Sequence, residues 1–176
     1  MPEKLKRERE PFPGKMEKIE TYGGTSEVVD ISPENPKTDV PVLLAPAWAC
    51  SINVYKPAIE TLASKGRRVI SLNHARNRRD SSFDEKLLDQ YSAAELTKAF
   101  NFLDVLDQKK IEKVDVIAHS EGCLNAVIAA TLRPDKFRNL VLFAPAGLIG
   151  DDNAWRLLKG FAAQRIKDIR WQPLSG

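Results

Sequence analysis

A single serine, Ser120, stands where a short, mostly apolar run gives way to a second apolar segment. Residues 114–117 are Val-Asp-Val-Ile, and residues 118–122 are Ala-His-Ser-Glu-Gly. Small residues two positions before and after the serine allow a tight turn between a strand and a helix. A serine at the apex of such a turn lies at the end of a sheet, beside the free backbone N–H groups of a helix start. Its hydroxyl group could therefore attack a carbonyl carbon and accept an acyl group.

A serine nucleophile needs a general base, and the chain has two histidines, His74 and His119. His119 adjoins Ser120, but successive residues around a sharp turn point in different directions, so we expect His119 to pack or hydrogen-bond beside the turn. His74 follows another strand, and two strand spacings of about 4.8 Å would separate its loop from Ser120, whereas a base must come within about 3 Å. We expect the base elsewhere; the alternative is a bent loop that carries His74 to Ser120.

Apolar strands and amphipathic helices alternate along the chain and would position this turn. An edge strand is predicted at residues 27–31 and apolar strands at 40–45, 68–72, 114–117 and 140–143. Helices are predicted at residues 54–64, from Ser92 onward with capping-box spacing, and at 123–132. This alternation indicates an α/β fold with a mostly parallel sheet and helices on both faces. The loops that follow the strands then share one sheet edge.

The order of elements and the serine turn together resemble the α/β-hydrolase family over residues 25–150. The family pattern at the turn is Gly-x-Ser-x-Gly, so Ala118 replaces the first glycine and Gly122 is retained. His119 occupies the position before the nucleophile. The resemblance implies that Ser120 is the catalytic nucleophile of a serine hydrolase.

The loop after the first core strand also resembles the family. Pro46 and Ala47 stand where the family has His-Gly, and Trp48 follows. The resemblance implies that the backbone N–H groups of Trp48 and Glu121 form the oxyanion hole. We expect the Glu121 carboxylate to be solvated at the helix start.

Two departures from the family pattern concern the remaining catalytic groups. The loop at residues 73–80 contains no glycine, whereas the family often has Asp-x-Arg-Gly-x-Gly there. In the family the catalytic acid and histidine follow the serine, and no histidine follows Ser120 in this chain. We therefore expect the N-terminal portion of a hydrolase, truncated after the fourth core strand and the start of a lid.

The predicted organisation has three parts. Residues 1–24 form a flexible N-terminal segment, residues 25–150 a partial hydrolase-like core, and residues 151–176 an amphipathic helix that could begin a lid. Ordinary packing of that helix against the sheet layer is an equal alternative.

Composition excludes several classes of protein. The net charge is +3, from 27 lysine and arginine against 24 aspartate and glutamate residues, which gives no electrostatic footprint for nucleic acid. Cys50 and Cys123 form neither a disulfide framework nor a zinc motif. No apolar run approaches the ~20 residues that span a bilayer, and the charged N-terminus does not resemble a secretory signal. We expect a cytoplasmic protein with free thiols, no metal and no organic cofactor.

The function expected from these features is hydrolysis of a carboxylic ester or thioester through an acyl-enzyme on Ser120. The base and the acid would be supplied outside this segment, and the partner would be a small-molecule acyl substrate. The alternative is a catalytically inert module that binds a partner or forms a homo-oligomer through an exposed sheet edge or the C-terminal helix. A membrane or lipid surface is a lesser alternative.

Overall fold

The computed structural model describes residues 16–75 and 83–146. Within these ranges, one sheet is formed by the strands β1 (Met16–Thr21), β2 (Gly24–Ile31), β3 (Val42–Ala45), β4 (Val69–Asn73), β5 (Val114–His119) and β6 (Phe137–Phe143). The α-helices of these ranges are α1 (Lys56–Ser64), α2 (Glu85–Leu88), α3 (Ala93–Gln108) and α4 (Glu121–Leu132). Short 3₁₀ helices occupy Ile52–Tyr55 and Pro134–Lys136.

The strand order in the sheet is β1-β2-β4-β3-β5-β6. Strands β4, β3, β5 and β6 pair in parallel, whereas β1 and β2 pair antiparallel to each other and β2 pairs antiparallel to β4. The predicted mostly parallel sheet is therefore confirmed. β4, which precedes His74, is separated from β5 by β3, as the family resemblance implied.

The N-terminal end of the sheet differs from prediction in two respects. β1 begins at Met16 and so lies within the segment 1–24 that was predicted to be flexible. β2 was predicted as the edge strand, but β1 covers it and takes that place. β1 buries only Ile19 among exposed charged neighbours, which is the composition of a short edge strand. One buried side chain is too weak a pattern to predict a strand from sequence.

Helices cover both faces of the sheet, as predicted. On one face, α3 and α4 pack on the inward side chains of the strands, with Phe102 of α3 fully buried at the centre. On the other face, Ile52 and Ile59 of the 3₁₀ helix and α1 pack against Leu44 and Val69. α3 begins with the predicted capping box: the Glu95 N–H donates to Ser92 Oγ, and the Ser92 N–H donates to Glu95 Oε2.

Several predictions fall on residues outside the described ranges. The amphipathic helix predicted at residues 151–176, residues 76–80 of the glycine-free loop and the first 15 residues are among these. Among the helices in the ranges that the structure does describe, none is long and apolar enough to cross a membrane. The same ranges contain no group of three or more His, Cys, Asp or Glu side chains that could hold a metal ion.

A charged cluster joins the last two strands at the edge opposite the serine turn. The Asp115 carboxylate of β5 accepts hydrogen bonds from Arg138 Nε and Nη2 at 2.8 and 2.6 Å, from Arg67 Nη2 at 2.6 Å and from Asn139 Nδ2 at 2.8 Å. The hydrogen bonds from Arg138, followed by those from Arg67 and Asn139, hold the pKa of Asp115 well below its usual range against the effect of burial. The cluster therefore favours the ionised carboxylate and ties β6 to β5.

Replacing Asp115 with asparagine is expected to lower the free energy of unfolding at pH 7 by about 2 kcal/mol, because two arginines lose their shared counter-ion. Since the folded-state pKa is lowered, the stabilisation is present above the unfolded pKa of about 3.9 and is lost as the pH falls below it. Urea denaturation should show that the difference in unfolding free energy between wild type and D115N is smaller at pH 3 than at pH 7. Asp135→Asn, which removes an exposed pair with Arg133, should leave the free energy of unfolding nearly unchanged. An equal effect at both pH values would contradict this account.

Candidate active site

Ser120 forms the link between β5, which ends at His119, and α4, which begins at Glu121. Its backbone has φ 54° and ψ −121°, and residues other than glycine rarely adopt a positive φ of this kind. The Ser120 N–H donates to the carbonyl of Phe143 at 3.0 Å, and the Ser120 carbonyl accepts from the Cys123 N–H at 3.0 Å. The predicted strand–turn–helix arrangement is confirmed, and the serine turn (residues 118–122) is fixed from both sides.

The backbone strain at Ser120 predicts that the glycine variant is more stable than the alanine variant. A non-glycine residue held in such a conformation costs roughly 1–3 kcal/mol, whereas glycine avoids that strain and loses only about 0.5–1 kcal/mol through greater freedom when unfolded. Ser120→Gly is therefore expected to be more stable than Ser120→Ala by about 1 kcal/mol, measured by urea denaturation. Ser120→Ala is the matched control, because both variants lack the hydroxyl group and only alanine keeps Cβ. A glycine variant less stable than the alanine variant would contradict the strain.

The close approach of β3 to the serine turn explains why residues 118 and 122 are small. A Cβ atom on Gly122 would lie 2.5 Å from the carbonyl oxygen of Ala45 and 2.6 Å from that of Pro46, so no side chain fits there. Ala118 is fully buried and pairs with Ala45 in the sheet, which shows that a methyl group is accommodated at this position. The first turn of α4 is thus pressed against the end of β3, where the next loop begins.

That next loop, residues 46–51, carries the predicted oxyanion donor Trp48, and we name it the oxyanion loop after that prediction. A turn is closed by the Cys50 N–H, which donates to the carbonyl of Ala47 at 3.2 Å, and Ala49 has a φ of 57°. The Trp48 side chain is 67% exposed. Within residues 16–75 and 83–146, no acceptor contacts the Trp48 backbone N–H. This donor can therefore bind a ligand.

The second proposed donor lies at the start of α4. Glu121 is the first residue of the helix, and its backbone N–H has no partner inside the helix. Trp48 and Glu121 both line a cavity of about 320 Å³, together with the rest of the oxyanion loop, Leu72, Asn73, His74 and Lys98. Ser120 is half-buried and is not among the described residues that line this cavity. The structure thus brings the two predicted donor residues to one cavity, and Ser120 directly precedes one of them in the sequence.

The Glu121 carboxylate is partly buried and ion-paired, whereas the sequence predicted a solvated carboxylate. Lys98 of α3 donates from Nζ to Glu121 Oε1 at 2.5 Å, and the two side chains are only 15% and 26% exposed. Sequence reasoning missed Lys98, because the contact between residues 23 apart exists only where α3 packs on α4. The pair neutralises a carboxylate beside the cavity that would otherwise repel a developing negative charge.

The described contacts of both histidines are with groups other than the Ser120 hydroxyl. His119 Nδ1 lies 2.9 Å from the hydroxyl oxygen of Tyr55, so His119 hydrogen-bonds beside the turn. His74 packs edge-on against Phe102, with ring centroids 4.7 Å apart, and lines the cavity two strands away from β5. Cys123 is buried and its thiol donates to the Ala118 carbonyl at 3.3 Å, as suits a packing residue.

Comparisons with known proteins agree with this architecture. A sequence profile of the α/β hydrolase fold matches residues 40–169. Naproxen esterase (carboxylesterase NP) from Bacillus subtilis is similar, with a TM-score of 0.66 and 22% identity over 87% of this chain and 50% of that chain. Epoxide hydrolase A from Mycobacterium thermoresistibile gives a TM-score of 0.58 and 21% identity over 85% of this chain and 44% of that chain. No curated protein sequence matches significantly.

Carboxylesterase CesB from Bacillus subtilis shares the fold at 17% identity, with a TM-score of 0.62 over 86% of this chain and 50% of that chain. The chain spans about half the length of these solved structures. Identities this low demonstrate a shared fold and no more. The profile match covers most of the sequence, and the described sheet has the expected parallel strands with helices on both faces. The chain belongs to the α/β hydrolase fold family.

Proposed function

We propose that this chain carries the nucleophile and the oxyanion donors of a serine hydrolase that acts on a carboxylic ester or thioester. The observation that supports this most is the backbone of Ser120, whose φ of 54° holds a strained serine between a parallel strand and a helix start. Strain of this kind persists where the surrounding structure enforces it, and it is concentrated at functional sites.

In the proposed reaction, Ser120 Oγ attacks the carbonyl carbon and its proton passes to a general base. The carbonyl oxygen becomes an oxyanion, held by the backbone N–H groups of Trp48 and Glu121. One such donor contributes roughly 3 kcal/mol at the transition state. Collapse of the intermediate breaks the bond to the alcohol or thiol, which takes up the proton. Water then attacks the acyl-enzyme, releases the carboxylic acid and restores the serine.

The general base and its orienting acid are proposed to come from outside the described residues, either from further sequence or from another chain. His119 is hydrogen-bonded to Tyr55, and His74 lies two strands from β5, so neither is assigned this role. No metal or organic cofactor enters these steps. Both cysteines are free, which suits a reducing compartment such as the cytoplasm, the location we propose.

A fluorophosphonate probe tests the proposal, because it reacts with serines that have an activated hydroxyl group and a preformed oxyanion site. Supplied with the general base, as part of a longer natural form or together with the chain that carries the base, this chain should gain one phosphonyl group by intact mass, and peptide mapping should place it on Ser120. Heat-denatured protein is the control and should gain none. Absence of labelling when the general base is present, or labelling at another residue, would overturn the proposal.

A second candidate is a binding or oligomerising module without catalytic activity. The observation that favours it is β6, the last strand of the described sheet, where Val141 is 57% and Phe143 68% exposed. An apolar strand at a sheet edge can pair with another chain. Light scattering over a range of concentrations would detect self-association. A monomer at all concentrations that is also labelled on Ser120 would exclude this candidate.

A further inference from the structure

Tyr55 connects the oxyanion loop to the serine turn. The backbone N–H of Ala47 donates to Tyr55 Oη at 2.9 Å, and the same oxygen lies 2.9 Å from His119 Nδ1. Ala47 directly precedes Trp48, and His119 directly precedes Ser120. We propose that Tyr55 is a positioning residue that sets the separation between the Trp48 N–H and Ser120. This inference rests on the proposed function, because it assigns Tyr55 to the same site.

The oxyanion loop has few other anchors. The loop contains no glycine, and Ala49 takes a positive φ of 57°. The Trp48 side chain is 67% exposed and cannot fix the loop by packing. Pro46 has no N–H group to donate. Two hydrogen bonds therefore restrain Ala47, next to the proposed donor: its N–H donates to Tyr55, which ties the loop to the 3₁₀ helix, and its carbonyl accepts from the Cys50 N–H within the loop.

Tyr55 is itself carried on a fixed element. It ends the 3₁₀ helix Ile52–Tyr55, whose first residue, Ile52, is fully buried beneath the sheet. The Ile52 N–H donates to Asn73 Oδ1 at 2.9 Å, so the helix start is tied to the end of β4. Because Tyr55 is anchored to the sheet in this way, its hydrogen bond can fix the oxyanion loop relative to the sheet.

Both hydrogen bonds use the same phenol oxygen. Oη accepts from the Ala47 N–H, and it donates to or accepts from His119 Nδ1 according to the tautomer of the ring. Burial raises the pKa of Tyr55, and the nearby thiols of Cys50 and Cys123 act in the same direction, against the effect of the Ala47 N–H. The phenol therefore stays protonated at neutral pH and can serve both partners.

Tyr55→Phe removes the hydroxyl group and keeps the ring. A misplacement of about 1 Å at a reacting site can lower a rate by about 100-fold. We expect the maximal rate of fluorophosphonate labelling of Ser120 (kinact) to fall by about 10- to 100-fold. The concentration for half-maximal labelling (KI) should change little, because the cavity walls stay in place. If Tyr55 had only a structural role, Tyr55→Phe would lower stability without lowering kinact at an unchanged KI.

The matched control is Tyr91→Phe, which removes a hydroxyl group from a tyrosine that packs against the buried residues shared by α3 and α4. It should label at the wild-type rate. His119→Phe breaks the other end of the link, and the double variant should label no more slowly than the slower single variant, because both changes disrupt one connection. Additive losses, or a Tyr55→Phe variant that labels at the wild-type rate, would overturn the inference.

Hydrogen exchange supplies a second measurement that needs no activity. In Tyr55→Phe the Ala47 amide loses its acceptor, so peptides that cover residues 46–51 should exchange faster, while peptides from α3 should not change. If wild type is not labelled even when the general base is supplied, the proposed function fails, and the exchange result still decides whether Tyr55 restrains the loop. Unchanged exchange at residues 46–51 would overturn the inference even if labelling succeeds.

Discussion

Replacing Ser120 with alanine is expected to abolish labelling by a fluorophosphonate and to lower any ester hydrolysis by at least about 10³-fold. The variant keeps Cβ, and the backbone hydrogen bonds to Phe143 and from Cys123 do not involve the side chain. The fold and the two proposed oxyanion donors should therefore be retained. What is lost is the single atom that forms the bond to the substrate.

Intact mass after incubation with the probe and the initial rate with a chromogenic ester measure this effect. Ser64→Ala is a suitable control, since Ser64 ends α1 and its hydroxyl group donates to the Thr61 carbonyl, remote from the serine turn. Circular dichroism should show the same secondary structure for both variants. Labelling that persists in Ser120→Ala would assign the reactive group to another residue and would refute the proposed nucleophile.

Replacing Gly122 with alanine is expected to lower the free energy of unfolding by about 3 kcal/mol. Helix propensity by itself predicts the opposite sign, a gain of about 1 kcal/mol when glycine becomes alanine inside a helix. The close approach of α4 to the end of β3 reverses the sign of this stability change, because the added methyl group would meet two backbone carbonyl oxygens at 2.5 and 2.6 Å. Neither oxygen can rotate away as the end of a flexible side chain could.

This strain should also reach the proposed site. The two carbonyl groups belong to Ala45 and Pro46, at the start of the oxyanion loop, so their displacement would move Trp48 relative to Ser120. We expect urea denaturation to show the loss of stability and fluorophosphonate labelling to slow in the same variant. Ala130→Ser, which adds one atom at a half-buried position of α4, should change stability by less than about 1 kcal/mol. A Gly122→Ala variant as stable as wild type would show that β3 and α4 can separate easily.

Tyr55 and Lys98 have a common role in this site, although they act on different sides of it. Tyr55 holds the peptide before Trp48, and Lys98 holds the side chain of Glu121. Tyr55 therefore acts on the residue before one proposed oxyanion donor, and Lys98 acts on the side chain of the other. Preorganised donors of this kind are effective because they do not need to reorient during the reaction.

The class of fold was predictable because its signals are local and repeated. Continuous apolar strands alternate with helical patterns, and the structure confirms a mostly parallel sheet with helices on both faces. The capping box at Ser92 was also predictable, since it depends on residues three apart in sequence. β1 was missed because a charged edge strand with one buried residue, Ile19, is indistinguishable from a polar tail until it pairs with β2.

The sequence by itself determined where the strained serine lies, because a strand, small residues on either side of Ser120 and a helix follow one another along the chain. Only the tertiary structure decided which side chains support it. Tyr55 meets His119 across 64 residues and Lys98 meets Glu121 across 23. These contacts depend on the order of strands and on the packing of α3 against α4. No pattern of spacing encodes them, because hydrogen bonds between distant segments form only after burial of apolar surface has brought those segments together.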